Sequence, residues 1–218
     1  MVSVNVGGPR EIEWEGKRVT TSIYKAPAPG RVAVRRHNLD GDRQSDLTVH
    51  GGPDKAVYGY PFEHYDFWRS ELPEAELAFG VFGENLTTTG IDEQALSIGD
   101  VLRIGSAELM VTQPRMPCFK LAARFGRKDM VKRFLASRRV GFYFCIVREG
   151  DVAAGDAIEF VDRANARMSV AEMAGLYATK TPATEDLRRA LTLRGLAREW
   201  REQIAQVVDA RDRGEAPS

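Results

Sequence analysis

Cys118 stands in the segment Gln113-Pro-Arg-Met-Pro-Cys-Phe119, where two prolines stiffen a loop that directly follows a predicted strand. The thiol therefore has a fixed position. From Arg115 to Arg139 the chain carries nine basic residues against the single acid Asp129. Positive charge nearby favours the thiolate, the form that attacks electrophiles or ligates metals. The same cluster attracts anions, phosphates above all. A solvated helix face would use some of these charges equally well, and a lone cysteine is more often a small buried hydrophobe; the bracketing prolines and the basic surround favour a functional thiol. Cys145, mid-strand among aromatics, reads as packing.

A second constellation is Val49-His-Gly-Gly-Pro-Asp-Lys-Ala-Val57. Paired glycines let a backbone approach a ligand closely, and Lys55 can reach a phosphate, although a plain turn would use the same residues. A third is Phe82-Gly-Glu-Asn-Leu-Thr-Thr88, whose Asn85 and hydroxyls suit hydrogen bonding to a polar heterocycle. His37 and His64 read as structural. The chain has no G-x-G-x-x-G after a strand, no phosphate-binding P-loop, no H-E-x-x-H and no G-x-S-x-G. A thiol hydrolase would need a paired base; His50 is available, but its Gly-Gly-Pro setting matches no such signature.

The elements that must hold these groups are mostly strands. Val19–Tyr24, Arg31–Arg36, Val101–Ile104, Ala107–Thr112, Gly141–Val147 and Ala157–Val161 are short runs rich in β-branched or aromatic residues, punctuated by Gly-Asp pairs and Ala26-Pro-Ala-Pro-Gly30. They predict a closed or nearly closed antiparallel barrel over residues 1–163. Phe62, Tyr65, Trp68 and Leu72 fall on one face of a predicted helix opened by Pro61, and further helical turns are expected around Gly126. Beyond Arg163 the pattern becomes helical. Ser169 and Glu172 match a capping box opening a helix to about Ala178. A second helix is predicted over Thr184–Leu191. A third, from about Gly195 to Ala210, has Leu196, Trp200, Ile204 and Val207 on its apolar stripe. Residues 164–212 thus form a small three-helix domain, and 213–218 a loose tail.

With 31 Lys plus Arg against 31 Asp plus Glu in 218 residues, the formal charge is zero. That excludes a chain whose overall charge drives it onto nucleic acid or anionic membrane. The three-helix segment is itself nearly neutral, nine basic residues to eight acidic ones from Ala164 onward, which speaks against a DNA-reading module. No apolar run approaches the length of a membrane helix and no secretory signal opens the chain, so a cytoplasmic protein is expected. Two cysteines are too few for a disulfide framework or a thiolate-held cluster, and both are expected as reduced thiols.

Taken together, His50-Gly-Gly-Pro-Asp-Lys-Ala-Val57, Gly83-Glu-Asn-Leu-Thr-Thr88, Ile98-Gly-Asp100, Gln113-Pro-Arg115 with Pro117-Cys118, and Ala154-Gly-Asp156 resemble the MOSC domain, named for the molybdenum cofactor sulfurase C-terminal domain. The resemblance is to the bacterial YiiM-like branch, in which the barrel is followed by three helices, and it covers nearly the whole chain. It implies a mainly β protein with α: a MOSC-type β-barrel with helical inserts and a small C-terminal three-helix domain. It further implies that the chain binds molybdenum cofactor, with Cys118 as thiolate ligand to the metal and catalytic residue. Arg115 and Lys55 would serve the pterin phosphate, and His50, Asn85, Arg139 and Tyr143 would complete the pocket. The implied activity is reduction of small N-hydroxylated compounds, including hydroxylaminopurines. The electrons would come from a separate reductase, since the chain has no dinucleotide fingerprint. Pyridoxal phosphate is not indicated. The rival reading is a non-catalytic carrier of the cofactor or its sulfur through Cys118. The sequence leaves a homodimer open.

Overall fold

Glu15 and Gly16 both adopt positive φ, 51° and 74°, which is what a two-residue turn matched to the right-handed twist of a hairpin requires. They join the two strands of a hairpin, β2 (Arg10–Trp14) and β3 (Lys17–Thr21), in register Trp14 opposite Lys17, which follows β1 (Ser3–Val6). The computed structural model describes residues 1–45 and 52–214. Along it follow β4 (Ala26–Pro27), β5 (Val32–Arg35), β6 (Asn38–Leu39), a 3-10 turn (Pro53–Lys55), β7 (Val57–Pro61), α1 (His64–Glu71), β8 (Leu86–Thr88), β9 (Val101–Ile104) and β10 (Ala107–Pro114). Then come α2 (Phe119–Phe125), α3 (Met130–Ser137), β11 (Phe142–Arg148), β12 (Gly150–Val152), β13 (Ile158–Asp162), α4 (Val170–Ala178), α5 (Thr184–Leu191) and α6 (Arg198–Asp212).

Eight strands form one sheet in the order β13-β9-β10-β11-β7-β8-β1-β4, and β12-β5-β6 form a second. The two enclose one apolar core: Val32, Val34, Leu39 and Val152 of the small sheet are buried with Val4, Leu102, Leu109, Phe142 and Phe144 of the large one. The protein is mainly β with α. The barrel is less complete than expected, because no ladder joins β13 to β4 among the described residues. A physical reason is at hand: β4 is two residues long and ends in Pro27, which has no N–H to extend a ladder.

Among the described residues every strand pair is antiparallel except β7 with β8. A parallel pair needs a long crossover rather than a tight turn, and α1 lies on it. β7 divides two cores by simple alternation. Val57 joins the main core, while Tyr58 and Tyr60 enter an aromatic cluster with Tyr65, Trp68, Phe82, Met130 and Phe134 beneath α1, α2 and α3. The Trp68 indole donates to Tyr60 at 2.6 Å and stacks on Phe134 at 5.5 Å. Gly59 is required where it stands: a Cβ there would lie 2.5 Å from the Phe142 ring.

The capping box forms as read, with Glu172 N–H donating to Ser169 Oγ at 3.1 Å and Ser169 N–H to Glu172 Oε2 at 2.7 Å. Helix α6 starts three residues later than its apolar pattern suggested, since Gly195 is at φ 76°. Its innermost residues are Trp200, Ile204 and Val208, with Val207 only partly buried. Met173, Leu187, Leu193, Trp200 and Ile204 belong to the same core as the sheet. Backbone bonds tie the helices to it: Val170 N–H to Leu96 O at 2.9 Å, Ala171 N–H to Glu93 O at 2.8 Å, Ile98 N–H to Met168 O at 3.0 Å and Ala197 N–H to Thr112 O at 3.2 Å.

Candidate functional site

A cleft of about 610 Å3, its solvent-facing mouth included, opens where the end of β3, the Lys25 and Asp42–Ser45 segments, β7, the Gly83–Asn85 loop and the Arg115–Lys120 loop converge. Lys55, Asn85, Arg115, Cys118 and Tyr143 all line it, so five of the seven residues singled out from the sequence come together. His50 lies outside the described residues. Arg139 is not among the lining: its guanidinium sits over the Phe67 ring at 4.1 Å and donates to Ser137 O at 3.2 Å. Cys118 is the N-cap of α2, a half-buried thiol held in extended backbone.

Arg115 is the most constrained cation. It is buried, 5% exposed, between the rings of Tyr58 at 5.1 Å and Phe134 at 5.2 Å, and its Nη1 has no hydrogen-bond partner. Ser22 Oγ, also on the lining, is buried and unpartnered too. A buried donor left unsatisfied is expensive. Tyr143 stands beside Tyr58 with ring centroids 5.3 Å apart. Burial raises its phenol pKa, and the Arg115 guanidinium pulls it back down.

Asn85 has a different job from the one its motif suggests. Its Oδ1 accepts from Tyr58 N–H at 3.1 Å, and its Nδ2 donates to Asp42 Oδ2 at 2.9 Å and Asn5 O at 3.3 Å. The amide is fully engaged in joining three segments. Asp42 in turn accepts from Gly7 N–H at 2.9 Å and from Lys25 Nζ. Burial lowers the pKa of the Lys25 ammonium, opposed by the Asp42 charge. Glu84, wholly buried, accepts from Gly80 N–H, Phe82 N–H and the Thr87 and Tyr65 hydroxyls. It locks the loop that presents Asn85, and burial raises its pKa.

Among the described residues, Lys25, Arg43, Lys55, Arg115 and Lys120 line the cleft with one carboxylate, Asp42. Only Arg115 and Lys120 come from the basic segment. Most of the other seven are used locally: Arg127 pairs with Asp129 at 3.0 Å, Arg133 with Glu71 at 2.6 Å and Lys128 with Glu15 at 2.6 Å, while Arg124 covers Tyr24 at 4.7 Å. Lys25, Asp42, Arg43 and Ser22 escaped the sequence reading. Lys25 precedes a Pro-rich turn and Asp42 follows Gly41, and both were legible only as turn markers.

Can these residues hold a molybdenum cofactor? Among the described residues no group of three or more His, Cys, Asp or Glu could by itself cage a metal. One thiol in a cationic cleft instead suits a metal that arrives with its own organic ligand, and thiolate is the soft donor such a metal takes. The unpartnered Arg115 Nη1 and Ser22 Oγ suit a phosphate oxygen. The donor set fits.

Comparison with known proteins gives the family. Residues 46–159 match the MOSC domain. The uncharacterized protein YflK of Bacillus subtilis (strain 168) is 40% identical over 209 residues, 96% of this chain and 94% of that protein. A protein of Gibberella moniliformis (strain M3125 / FGSC 7600) named Reductase is 35% identical over 158 residues, 71% of this chain but 28% of its own length. The crystal structure of YiiM from Geobacillus stearothermophilus matches with a TM-score of 0.80 at 31% identity, covering 95% of this chain and 97% of that one. With the cysteine loop and the cleft residues Lys55, Tyr58, Asn85, Arg115 and Tyr143 inside the matched segment, the chain belongs to the MOSC domain family.

Proposed function

We propose that the protein is a molybdenum-cofactor-dependent reductase of small N-hydroxylated compounds. The observation that carries the reading is the buried, unpartnered Arg115 Nη1 in a cleft that five cationic side chains line together with Cys118. The likeness to a protein named Reductase supports the reaction class. When bound, the cofactor would supply the two-electron redox chemistry, so that an N-hydroxy compound, two electrons and two protons give the amine and water.

The chain's own residues do the rest. Cys118 would ligate the metal, and Arg115, Lys25 and Lys120 would hold the phosphate. Tyr58 and Tyr143 wall the cleft with aromatic surface. Lys25 Nζ lies on the lining paired with Asp42, and burial lowers its pKa. Electrons would come from a separate reductase.

The test pairs metal analysis with turnover. Purified protein should contain molybdenum and should reduce benzamidoxime or hydroxylaminopurine given a chemical electron donor. Cys118→Ala should lose both. A protein without molybdenum whose Cys118→Ala variant kept full activity would sink the reading, and one that bound the cofactor yet reduced nothing would be a carrier.

A further inference from the structure

The 3-10 turn Pro53–Lys55 has one face on the cleft and the other on the C-terminal helices. Helix α6 has no side-chain cap of its own, since Ala197 occupies its N-cap. The Asp54 carboxylate, from the turn, accepts from Arg198 N–H at 2.8 Å instead, placing an anion where the first-turn amides and the helix dipole want one. Lys55, the next residue, donates from Nζ to Glu199 Oε2 at 2.7 Å while lining the cleft. Thr112 closes the junction. Its hydroxyl donates to Asp54 O at 2.6 Å and its carbonyl accepts from Ala197 N–H at 3.2 Å, two residues before the Pro114 that leads to Arg115.

We infer that α6 is part of the anion site: Asp54 seats the helix on the turn, and Glu199 is the positioning residue that aims the Lys55 ammonium at a phosphate group in the cleft. The inference rests on the cofactor reading above and assigns the three-helix segment a role within it. A lysine has a long flexible stem. Tethering one of its N–H groups to Glu199 removes rotamer freedom before the ligand arrives, so less is lost on binding. The ion pair is half in solvent, with side-chain exposures of 15% and 55%, so its effect is graded rather than absolute.

The experiment measures binding of inorganic phosphate to the full chain, produced in a host unable to make the pterin cofactor, together with thermal melting. Lys55→Met should weaken phosphate binding about tenfold. Glu199→Gln should weaken it about two- to fivefold with little change in melting. The double variant should bind as Lys55→Met does, because Glu199 acts only through Lys55. Unchanged or tighter binding by Glu199→Gln, or a double variant weaker than Lys55→Met, would overturn the positioning role and leave the cofactor reading standing. No phosphate binding by the unaltered chain would overturn both.

Discussion

The Lys25–Asp42–Asn85 arrangement places a charged pair where water has little access, with side-chain exposures of 8% and 2% for Lys25 and Asp42. Removing one partner of such a pair leaves an uncompensated buried charge. Asp42→Asn should therefore destabilise the fold by about 3–5 kcal/mol, read as a lower urea midpoint at unchanged slope. Lys25→Met combined with Asp42→Asn should recover much of the loss. If the single variant were as stable as the parent, the ion pair would carry no structural weight. Arg115 is held differently, by stacking on Tyr58 and Phe134. Lysine cannot reproduce that planar contact, so Arg115→Lys should lower molybdenum retention even though the charge is kept.

Among the elements, α4 depends on its capping box. Ser169→Ala should cost about 1 kcal/mol, measured by chemical unfolding. The Glu172 carboxyl is held below its usual pKa, first by the Ser169 backbone N–H and also by Arg189. A depressed carboxyl pKa stabilises the fold above the ordinary carboxylate range, and that contribution fades as pH falls through the depressed value. The penalty of Glu172→Gln should accordingly shrink in acid; a penalty independent of pH would contradict the linkage. This helix was legible because Ser-x-x-Glu is a local signal. So were β9 and α5, whose patterns are uninterrupted. β7 and β8 were not: Val57-Tyr-Gly-Tyr-Pro contains the two residues that ordinarily demote a strand, and its Gly59 is there because Phe142 from β11 needs the room. The cleft divides the same way. Arg115 and Cys118 announce themselves by a stiff, basic loop. Lys25 and Asp42 acquire meaning only when folding brings Asn85 between Tyr58 and the first strand.

The larger of the two apolar cores runs from the two sheets into α4, α5 and α6. Ile204→Ala, in the last helix, should cost about 2–5 kcal/mol. Because its neighbours belong to the same core as the strands, near-UV signals from the aromatic cluster and far-UV helix signals should melt together. Two separated transitions would show that the helices unfold independently of the sheet. The described residues include no helix long and apolar enough to cross a membrane.

The pairing of the first strands reaches far along the chain. β1 lies between β4 and β8, and β5 pairs with β12, so Val4 waits for Leu86 and Val32 for Val152. A ribosome adds about 5–20 residues per second, which leaves the earliest β-strands with bare hydrogen-bonding edges for several seconds while their partners are made. Their brevity, and Pro27 at the end of β4, are what keep those edges from finding another chain first. The order of strands in the sheet is thus also a timetable: Ser3–Val6 completes its pairing only once Leu86–Thr88 is made, and Val32–Arg35 only once Gly150–Val152 is.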